Sequence, residues 1–165
     1  MSSADHDPSP FWLLMGFLIP TVVALPRMDR HPRTATDFNE FSDGCLPGHL
    51  GIEIVSVTDG GVRARMQLAQ VHLAPHGYLH AASVVALADS ACGYGCIAGL
   101  PEGKGFTTIE LKANYLATQT TGSLACEATL VHNGRTTQVW DAVVTDEDSD
   151  RRLALFRCTE LVLSA

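Results

Sequence analysis

Cationic residues are scarce in this chain. Eleven Lys and Arg residues stand against 18 Asp and Glu residues, so the formal net charge at pH 7 is -7. Proteins that follow a nucleic-acid backbone need clustered cations to neutralise its phosphates. The composition therefore argues against nucleic acid as a main partner, although a few basic residues could still hold a small anionic ligand.

The cysteines lack the pairing that a disulfide framework or a zinc knuckle needs. There are five of them, an odd number, and no two have the Cys-x-x-Cys spacing. They are Cys45, Cys92, Cys96, Cys126 and Cys158. We expect Cys92 and Cys96 to be small core residues, and we predict a reducing, cytoplasmic setting for the protein.

A metal-binding array of histidines is not expected either. His72, His76 and His80 are spaced by four, which would align three imidazoles if the segment were helical. Pro75 and Gly77 disfavour a continuous helix there, and no carboxylate or Cys completes a ligand set. We therefore predict no metal site and no cofactor.

Long apolar runs are also missing. The longest, from Phe11 to Leu25, is shorter than the roughly 20 residues that a membrane-spanning helix needs, and Gly16 and Pro20 interrupt it. The segment before it carries Asp5 and Asp7 and no Lys or Arg, unlike a secretory signal. We predict that residues 1–45 form an N-terminal extension, made of this apolar segment and a polar linker or peripheral helix, and that the protein does not associate with membranes.

The remaining sequence has the composition of one globular domain, which we place at residues 46–165. The chain has 165 residues, of which 46% are hydrophobic and 18% charged. Residues 50–57 and 62–68 alternate apolar and polar side chains around Asp59, Gly60 and Gly61, the pattern of a β-hairpin. Four further strands are predicted at residues 106–117, 122–132, 136–145 and 152–163.

Residues 81–100 lie between the hairpin and these strands. They are small and apolar on every side, which predicts a helix buried all round. A curved antiparallel sheet wrapped around one central helix satisfies both the buried helix and the one-sided strands, whereas a doubly wound fold would need more helices. The predicted fold class is therefore α+β, with the hotdog architecture.

One residue of this helix breaks its apolar pattern. Asp89 is the only charged residue between His80 and Glu102. A carboxylate in such a place costs several kcal/mol unless it is paired or protonated, so it is either a tolerated, hydrogen-bonded group or a reactive one. We favour the second interpretation, because removal from water raises the basicity of a carboxylate.

The start of the same helix is suited to hold negative charge. A turn at residues 75–80 leads directly into it, so the free backbone N–H groups of the first helical turn face the mouth of the turn. Such groups can polarise a carbonyl oxygen as charge develops on it. A carbonyl polariser and a carboxylate on one helix indicate attack on an activated acyl carbon.

These residues resemble the hotdog acyl-CoA thioesterases of the PaaI or 4-hydroxybenzoyl-CoA thioesterase-like group. The hallmark of that group is His-Gly-Gly before the central helix, with an acidic residue nine positions after the His. Here His80-Ala81-Ala82 is followed by Asp89 at that offset, and the resemblance extends from about Leu46 to Leu163. It implies hydrolysis of an acyl-CoA, aryl or medium-chain, to the free acid and coenzyme A.

The resemblance also implies roles for single residues. Asp89 matches the catalytic carboxylate, acting as a general base on water or as a nucleophile that forms an anhydride. Ala81 matches the glycine whose N–H polarises the thioester carbonyl, and His80 matches the histidine that shapes the turn. Thr108 matches a hydroxyl residue that, in some members, faces the carboxylate from the second subunit.

Other matched positions concern substrate binding. The turn formed by Gly134, Arg135 and Thr136 matches the segment that meets the nucleotide or pantetheine part of coenzyme A, where an Arg suits a phosphate. Ala82 stands where the family has its second glycine. Ala74 replaces a frequent Asn or Gln, whose role His76 in the same loop could take over.

Two other functions stay open from the sequence alone. On the same fold, an enoyl-CoA hydratase or dehydratase would use His80 as acid-base partner of a carboxylate. A non-catalytic acyl-CoA-binding or interaction module would explain the alanines at positions 74, 81 and 82. For any of the three, an open sheet edge and an uncovered helix mouth predict a homodimer or homotetramer.

Overall fold

The computed structural model describes residues 31–164. Two short helices, α1 (Ala35–Phe41) and α2 (Leu46–His49), precede the hairpin of β1 (Ile52–Thr58) and β2 (Gly61–Gln67). A one-turn 3₁₀ helix (Gln70–His72) then leads to the long helix α3 (Ala81–Gly99). The four closing strands are β3 (Lys104–Tyr115), β4 (Ser123–Asn133), β5 (Thr137–Asp146) and β6 (Arg152–Ser164).

All six strands form one antiparallel sheet in the order β1-β2-β4-β5-β6-β3. Helix α3 contacts every one of them, and ten of its residues are buried. The hotdog prediction is therefore confirmed, together with the hairpin, the central helix and the four later strands. The helix is not buried all round as predicted, because Ala81, Ala82 and Gly99 at its ends are exposed. Trp140 and Phe156, in β5 and β6, lie in the core between sheet and helix.

Two glycines allow α3 to lie close to the sheet. A Cβ atom at Gly95 would stand only 2.4 Å from the Trp140 ring, and one at Gly93 only 2.7 Å from the Phe106 ring. Trp140 is 1% exposed, so its ring has no room to retreat. The small residues of α3 thus set the distance between helix and sheet.

We expect Gly95→Ala to lower the free energy of unfolding by about 1–3 kcal/mol, because the added methyl group overpacks the core against Trp140. Gly99→Ala is the matched control, since a Cβ atom there meets nothing within 4 Å. The control should be neutral or slightly stabilising, as alanine favours a helix more than glycine does. Urea denaturation measures both, and equal stabilities of the two variants would contradict this account of the packing.

Helix α1 adds to the core from outside the predicted domain boundary at Leu46. Phe38 is fully buried and stacks on Tyr94 of α3, with ring centroids 4.7 Å apart. Thr34 and Asp37 form a capping box that starts the helix. The core therefore includes a residue that the sequence analysis placed in the N-terminal extension, whereas the apolar run Phe11 to Leu25 lies outside the described residues.

Strand β3 forms one edge of the sheet. It pairs with β6 alone among the described strands, and it carries exposed apolar side chains at Ile109, Leu111 and Tyr115. Within residues 31–164, α3 is the one helix long and apolar enough to cross a membrane, and it is the core helix of this fold.

Candidate active site

Asp89 lies half-buried in the middle of α3, facing β3. The Thr108 hydroxyl of β3 donates to Asp89 Oδ1 at 3.2 Å. Burial raises the pKa of Asp89 above its ordinary value, and the hydrogen bond from Thr108 opposes only part of that shift. The carboxylate is therefore a stronger base than a solvated one, which is the property that the sequence analysis predicted.

Thr108 and Asp89 meet within one chain. The family resemblance implies that the matching hydroxyl of some members reaches the carboxylate from the second subunit, and here the contact needs no second subunit. It arises because Thr108 shares the helix-facing side of β3 with Phe106, which packs against Gly93 one helical turn after Asp89.

A second acidic residue, which the sequence analysis missed, stands beside this pair. Glu160 of β6 has no exposed surface, and its Oε1 lies 3.3 Å from the Thr108 hydroxyl and 3.2 Å from Cys158 Sγ. Its Oε2 has no hydrogen-bond partner among the described residues. Burial raises the pKa of Glu160, and the charge of Asp89 raises it further, although the hydrogen bonds from Cys158 and Thr108 work against this.

The alternation of side chains along β6 contains a feature that could have identified Glu160 as a candidate site residue. In the alternation of β6, Phe156, Cys158 and Val162 point to the helix, and Glu160 occupies the same register. A charged residue in an apolar register is the strand counterpart of the anomaly at Asp89. Asp89, Cys158 and Glu160 bring oxygen and sulfur atoms within 4.8 Å of one another, close enough to hold a metal ion.

Among the residues that the structure describes, one backbone donor at the N-terminus of α3 has no acceptor. His80 is the N-cap, and its Nδ1 accepts a hydrogen bond from the Ala82 N–H at 3.0 Å. A ring nitrogen that accepts a hydrogen bond carries no proton, so this contact uses the tautomer with its hydrogen on Nε2. The Ala82 N–H is thus occupied, whereas the Ala81 N–H has no acceptor among the described residues and suits a ligand oxygen.

A histidine that the sequence analysis considered only as a metal ligand anchors this helix start. The His72 carbonyl accepts from the His80 N–H at 2.9 Å and from the Ser83 hydroxyl at 2.9 Å. Its ring accepts from the Ala69 N–H and donates to the Leu50 carbonyl. His72 is buried and both ring nitrogens are engaged, which is a structural role.

The other members of the histidine series do not share a helix with it. His76 lies exposed in the turn after Ala74 and packs against the Tyr78 ring, with centroids 5.4 Å apart. The Gly77 N–H closes this turn on the Ala74 carbonyl, and Gly77 has φ +86°, a value that favours glycine. The continuous helix that would align the imidazoles is thus missing, as expected from Pro75 and Gly77.

The turn between β4 and β5 is tight and its arginine is free to bind a ligand. Gly134 N–H donates to the Thr137 carbonyl at 2.9 Å, and a Cβ atom at Gly134 would collide with that carbonyl and with His132. Arg135 and Thr136 are exposed, and Arg135 has no ion pair among residues 31–164. A cavity of about 340 Å³ lies beside this turn and is lined by Asn133, Gln138 and Trp140 among others.

Cys92 and Cys96 of α3 are poorly suited to act as nucleophiles. Cys92 and Cys96 are fully buried, as expected for core residues. Burial raises the pKa of Cys96 to about 12, so almost none of it is thiolate near neutral pH. The candidate reactive groups of this region are therefore the carboxyl of Asp89 and the Ala81 N–H.

A half-buried carboxylate and a free N–H at the start of a buried helix, inside a hotdog sheet, define a class of protein: a hydrolase that acts on acyl groups. Comparison with known proteins indicates the same class. The profile of the thioesterase superfamily matches residues 76–152. The chain is 34% identical over 110 residues to a 1,4-dihydroxy-2-naphthoyl-CoA hydrolase of Listeria monocytogenes, covering 67% of this chain and 89% of that protein.

Two further similarities give the same result. A proofreading thioesterase, EntH, of Klebsiella pneumoniae is 32% identical over 122 residues, which cover 72% of this chain and 86% of that protein. A crystal structure of a thioesterase from Haemophilus influenzae matches with a TM-score of 0.74 and 29% identity, over 79% of this chain and 91% of that chain. The chain belongs to the thioesterase superfamily, and it is a thioester hydrolase with the hotdog fold.

Proposed function

We propose that this enzyme hydrolyses acyl-CoA thioesters, with Asp89 as the reacting carboxylate and the Ala81 N–H as the donor to the thioester oxygen. The observation that carries the proposal is the half-buried Asp89 carboxyl, which Thr108 orients and whose pKa burial raises. Such a group can take a proton from water as the water attacks the acyl carbon, or can attack that carbon itself. In either route the C–S bond breaks, and the thiolate of coenzyme A takes up a proton as it leaves. In the second route water then hydrolyses the mixed anhydride, which releases the acid and restores Asp89.

The acyl group we propose is aryl or medium-chain. The relative from Listeria monocytogenes is named for an aromatic acyl-CoA, which supports the aryl case. The thiol end of coenzyme A would lie at the α3 N-terminus, and its phosphates near the turn of Gly134, Arg135 and Thr136. Exposed Arg135 supplies the cation that phosphate needs in a chain of net charge -7.

The distance along α3 supports a site shared by two subunits. Asp89 stands eight positions after Ala81. At a rise of 1.5 Å per residue, the two residues are about 12 Å apart along the helix axis. An oxyanion donor must lie about 3 Å from the carbonyl oxygen, and the base must reach the same carbonyl carbon directly or through one water. One chain cannot place both groups on one thioester, so we propose that the donor comes from the partner in a homodimer.

The open edge of β3 provides the geometry for such a dimer. Thr108 contacts Asp89 near one end of β3, and Tyr115 at its other end donates to the Ala81 carbonyl at 3.3 Å. Two copies of β3 paired antiparallel about a point between Leu111 and Lys112 would set Thr108 opposite the partner's Tyr115. The partner's Ala81 would then lie near Asp89, and the pairing would also cover the exposed Ile109 and Leu111.

The proposed substrate is tested by release of thiol from short, medium, long and aryl acyl-CoAs, with the products identified by mass spectrometry. We expect turnover of the aryl or medium-chain esters to one equivalent each of free acid and coenzyme A. A product with the mass of substrate plus water would indicate hydration instead. Binding of every ester without turnover would indicate a binding module, and either result would contradict the proposal.

Arg135→Ala should raise KM for acyl-CoA substrates about tenfold while changing kcat little, because a phosphate contact far from the acyl carbon acts through binding. The matched control is a truncated thioester of pantetheine, which lacks the nucleotide and should lose almost nothing. Steady-state kinetics on both substrates give the comparison. An equal loss on both would show that Arg135 does not contact the nucleotide.

A further inference from the structure

Glu160 is a buried acidic group for which thioester hydrolysis by Asp89 has no direct use. It has no exposed surface, it faces α3 from β6, and its Oε2 has no hydrogen-bond partner within residues 31–164. Its Oε1 lies 3.3 Å from the same Thr108 hydroxyl that donates to Asp89 at 3.2 Å. Two carboxyl groups therefore share one hydroxyl in the core of the site.

The number of hydrogens available for donation limits how Asp89, Thr108 and Glu160 can be hydrogen-bonded to one another. A threonine hydroxyl has one hydrogen to donate, so it cannot satisfy two carboxylates at once. With both carboxyls ionised, two negative charges would face each other across one hydroxyl, and Glu160 would be a buried anion. If Glu160 Oε1 carries a proton, it donates to Thr108 and accepts from Cys158 Sγ, and Thr108 then gives its hydrogen to Asp89.

The exposure of the two acids decides which of them is protonated. Glu160 is fully buried, whereas Asp89 is only half-buried and reaches the solvent side of the site. Removal from water penalises the charged form, so the penalty is larger for Glu160. Its unpartnered Oε2 is tolerable as the carbonyl oxygen of a neutral acid but not as part of an anion.

No described cation faces Glu160 to hold it ionised. Helix α3 presents Asp89 and Cys96 to it, and its own strand presents Cys158. The neighbouring strand β5 places neutral Gln138 opposite Glu160, and β3 supplies the neutral Thr108. Within residues 31–164, the titratable groups that face Glu160 are therefore acids or thiols.

We propose that Glu160 is a positioning residue of the active site: a neutral carboxylic acid that donates to Thr108, so that Thr108 always donates to Asp89. The chain Glu160–Thr108–Asp89 fixes Asp89 Oδ1 and leaves Oδ2 for water or substrate. The proton on Glu160 also leaves Glu160 and Asp89 with a single negative charge between them, and this charge lies on Asp89. The proposal rests on the catalytic use of Asp89 proposed above.

Glu160→Gln is the first test, because glutamine keeps the shape and stays neutral. Its amide can donate to Thr108 as the protonated acid does. We expect kcat within about threefold of the wild type, and an acid limb of the pH profile of kcat/KM at an unchanged pH. If Glu160 is instead ionised, the substitution removes a neighbouring anion and moves the acid limb to lower pH by about one unit or more, which overturns the proposal.

Glu160→Met tests the hydrogen bond, since it keeps an unbranched chain and removes the donor. We expect kcat to fall about tenfold or more with little change in KM, as Thr108 no longer holds Asp89 in place. A wild-type kcat in this variant would overturn the proposal. The enzyme is dialysed against a chelator before these assays. If dialysis removed the activity and zinc restored it, the site would hold a metal ion and the proposal would be overturned.

Infrared spectroscopy gives a readout that needs no turnover. At pH 7 the wild type should show the carbonyl stretch of one buried protonated carboxylic acid. That band should disappear in Glu160→Gln and persist in Asp89→Asn. Absence of the band from the wild type, or its loss in Asp89→Asn instead, would overturn the proposal, whereas an enzyme that shows the band and hydrolyses no acyl-CoA would refute only the proposed function.

Discussion

Asp89→Asn should lower kcat by about 10²–10⁴-fold, the range that loss of a positioned base or nucleophile produces. Asparagine has the shape of aspartate, and its amide oxygen can still accept the hydrogen bond from Thr108. It cannot take a proton from water or attack an acyl carbon. Because substrate contacts remain, KM should change little, and thiol release under saturating acyl-CoA measures the loss.

The stability of the same variant provides its control. Burial raises the pKa of Asp89 in the folded state, so ionising it at neutral pH costs stability relative to the unfolded chain. Asp89→Asn should therefore unfold at the same or a higher temperature than the wild type at pH 7. This advantage should vanish below about pH 4, where aspartate is protonated in both states. Near-wild-type turnover in a folded Asp89→Asn enzyme would refute the catalytic assignment.

Ala81→Pro should lower kcat by about 10²–10³-fold, because it removes the N–H that we propose holds the thioester oxygen and that has no acceptor within residues 31–164. Proline is well tolerated at the first position of a helix, which Ala81 occupies. His80 already has φ -73° and ψ 134°, the extended backbone that a residue before proline requires. The fold should therefore survive a change that removes the donor.

Ala81→Gly is the matched control for the proline variant, since it restores the residue typical of the family and keeps the N–H. We expect it to retain activity within a few fold. Circular dichroism should show the same helix content for both variants, and thiol release should separate them. If Ala81→Pro is as active as Ala81→Gly, the oxyanion is stabilised by another donor.

The sequence predicted the sheet, the helix and Asp89 because each leaves a local pattern. Strand alternation, the apolar helix and one charge in its middle can be read within a single segment. Glu160 could not be placed in the site in this way, because its importance depends on β6 lying beside β3 in the sheet. A charge in an apolar register marks a candidate, and only the tertiary structure brings it to Thr108.

The packing of α1 and the distance between Ala81 and Asp89 also depend on tertiary structure, which local sequence patterns do not reveal. Residues 34–43 are mostly polar, and their two buried side chains, Phe38 and Ser42, both contact Tyr94, so no periodicity reveals that α1 belongs to the core. The sequence also placed the donor and the carboxylate on one helix, which is correct. Their separation of about 12 Å along that helix is the reason for our proposal that a second subunit supplies the donor.

The site shared by two subunits is tested most directly by a measurement that combines two inactive variants in one dimer. Asp89→Asn and Ala81→Pro chains carrying different affinity tags are coexpressed, and the mixed dimers are isolated through both tags. If Asp89 works with the partner's Ala81, one site of each mixed dimer is intact and the other carries both changes, so the rate of thiol release should recover to about half that of the wild type. Mixed dimers no more active than the two parent variants would contradict the shared site.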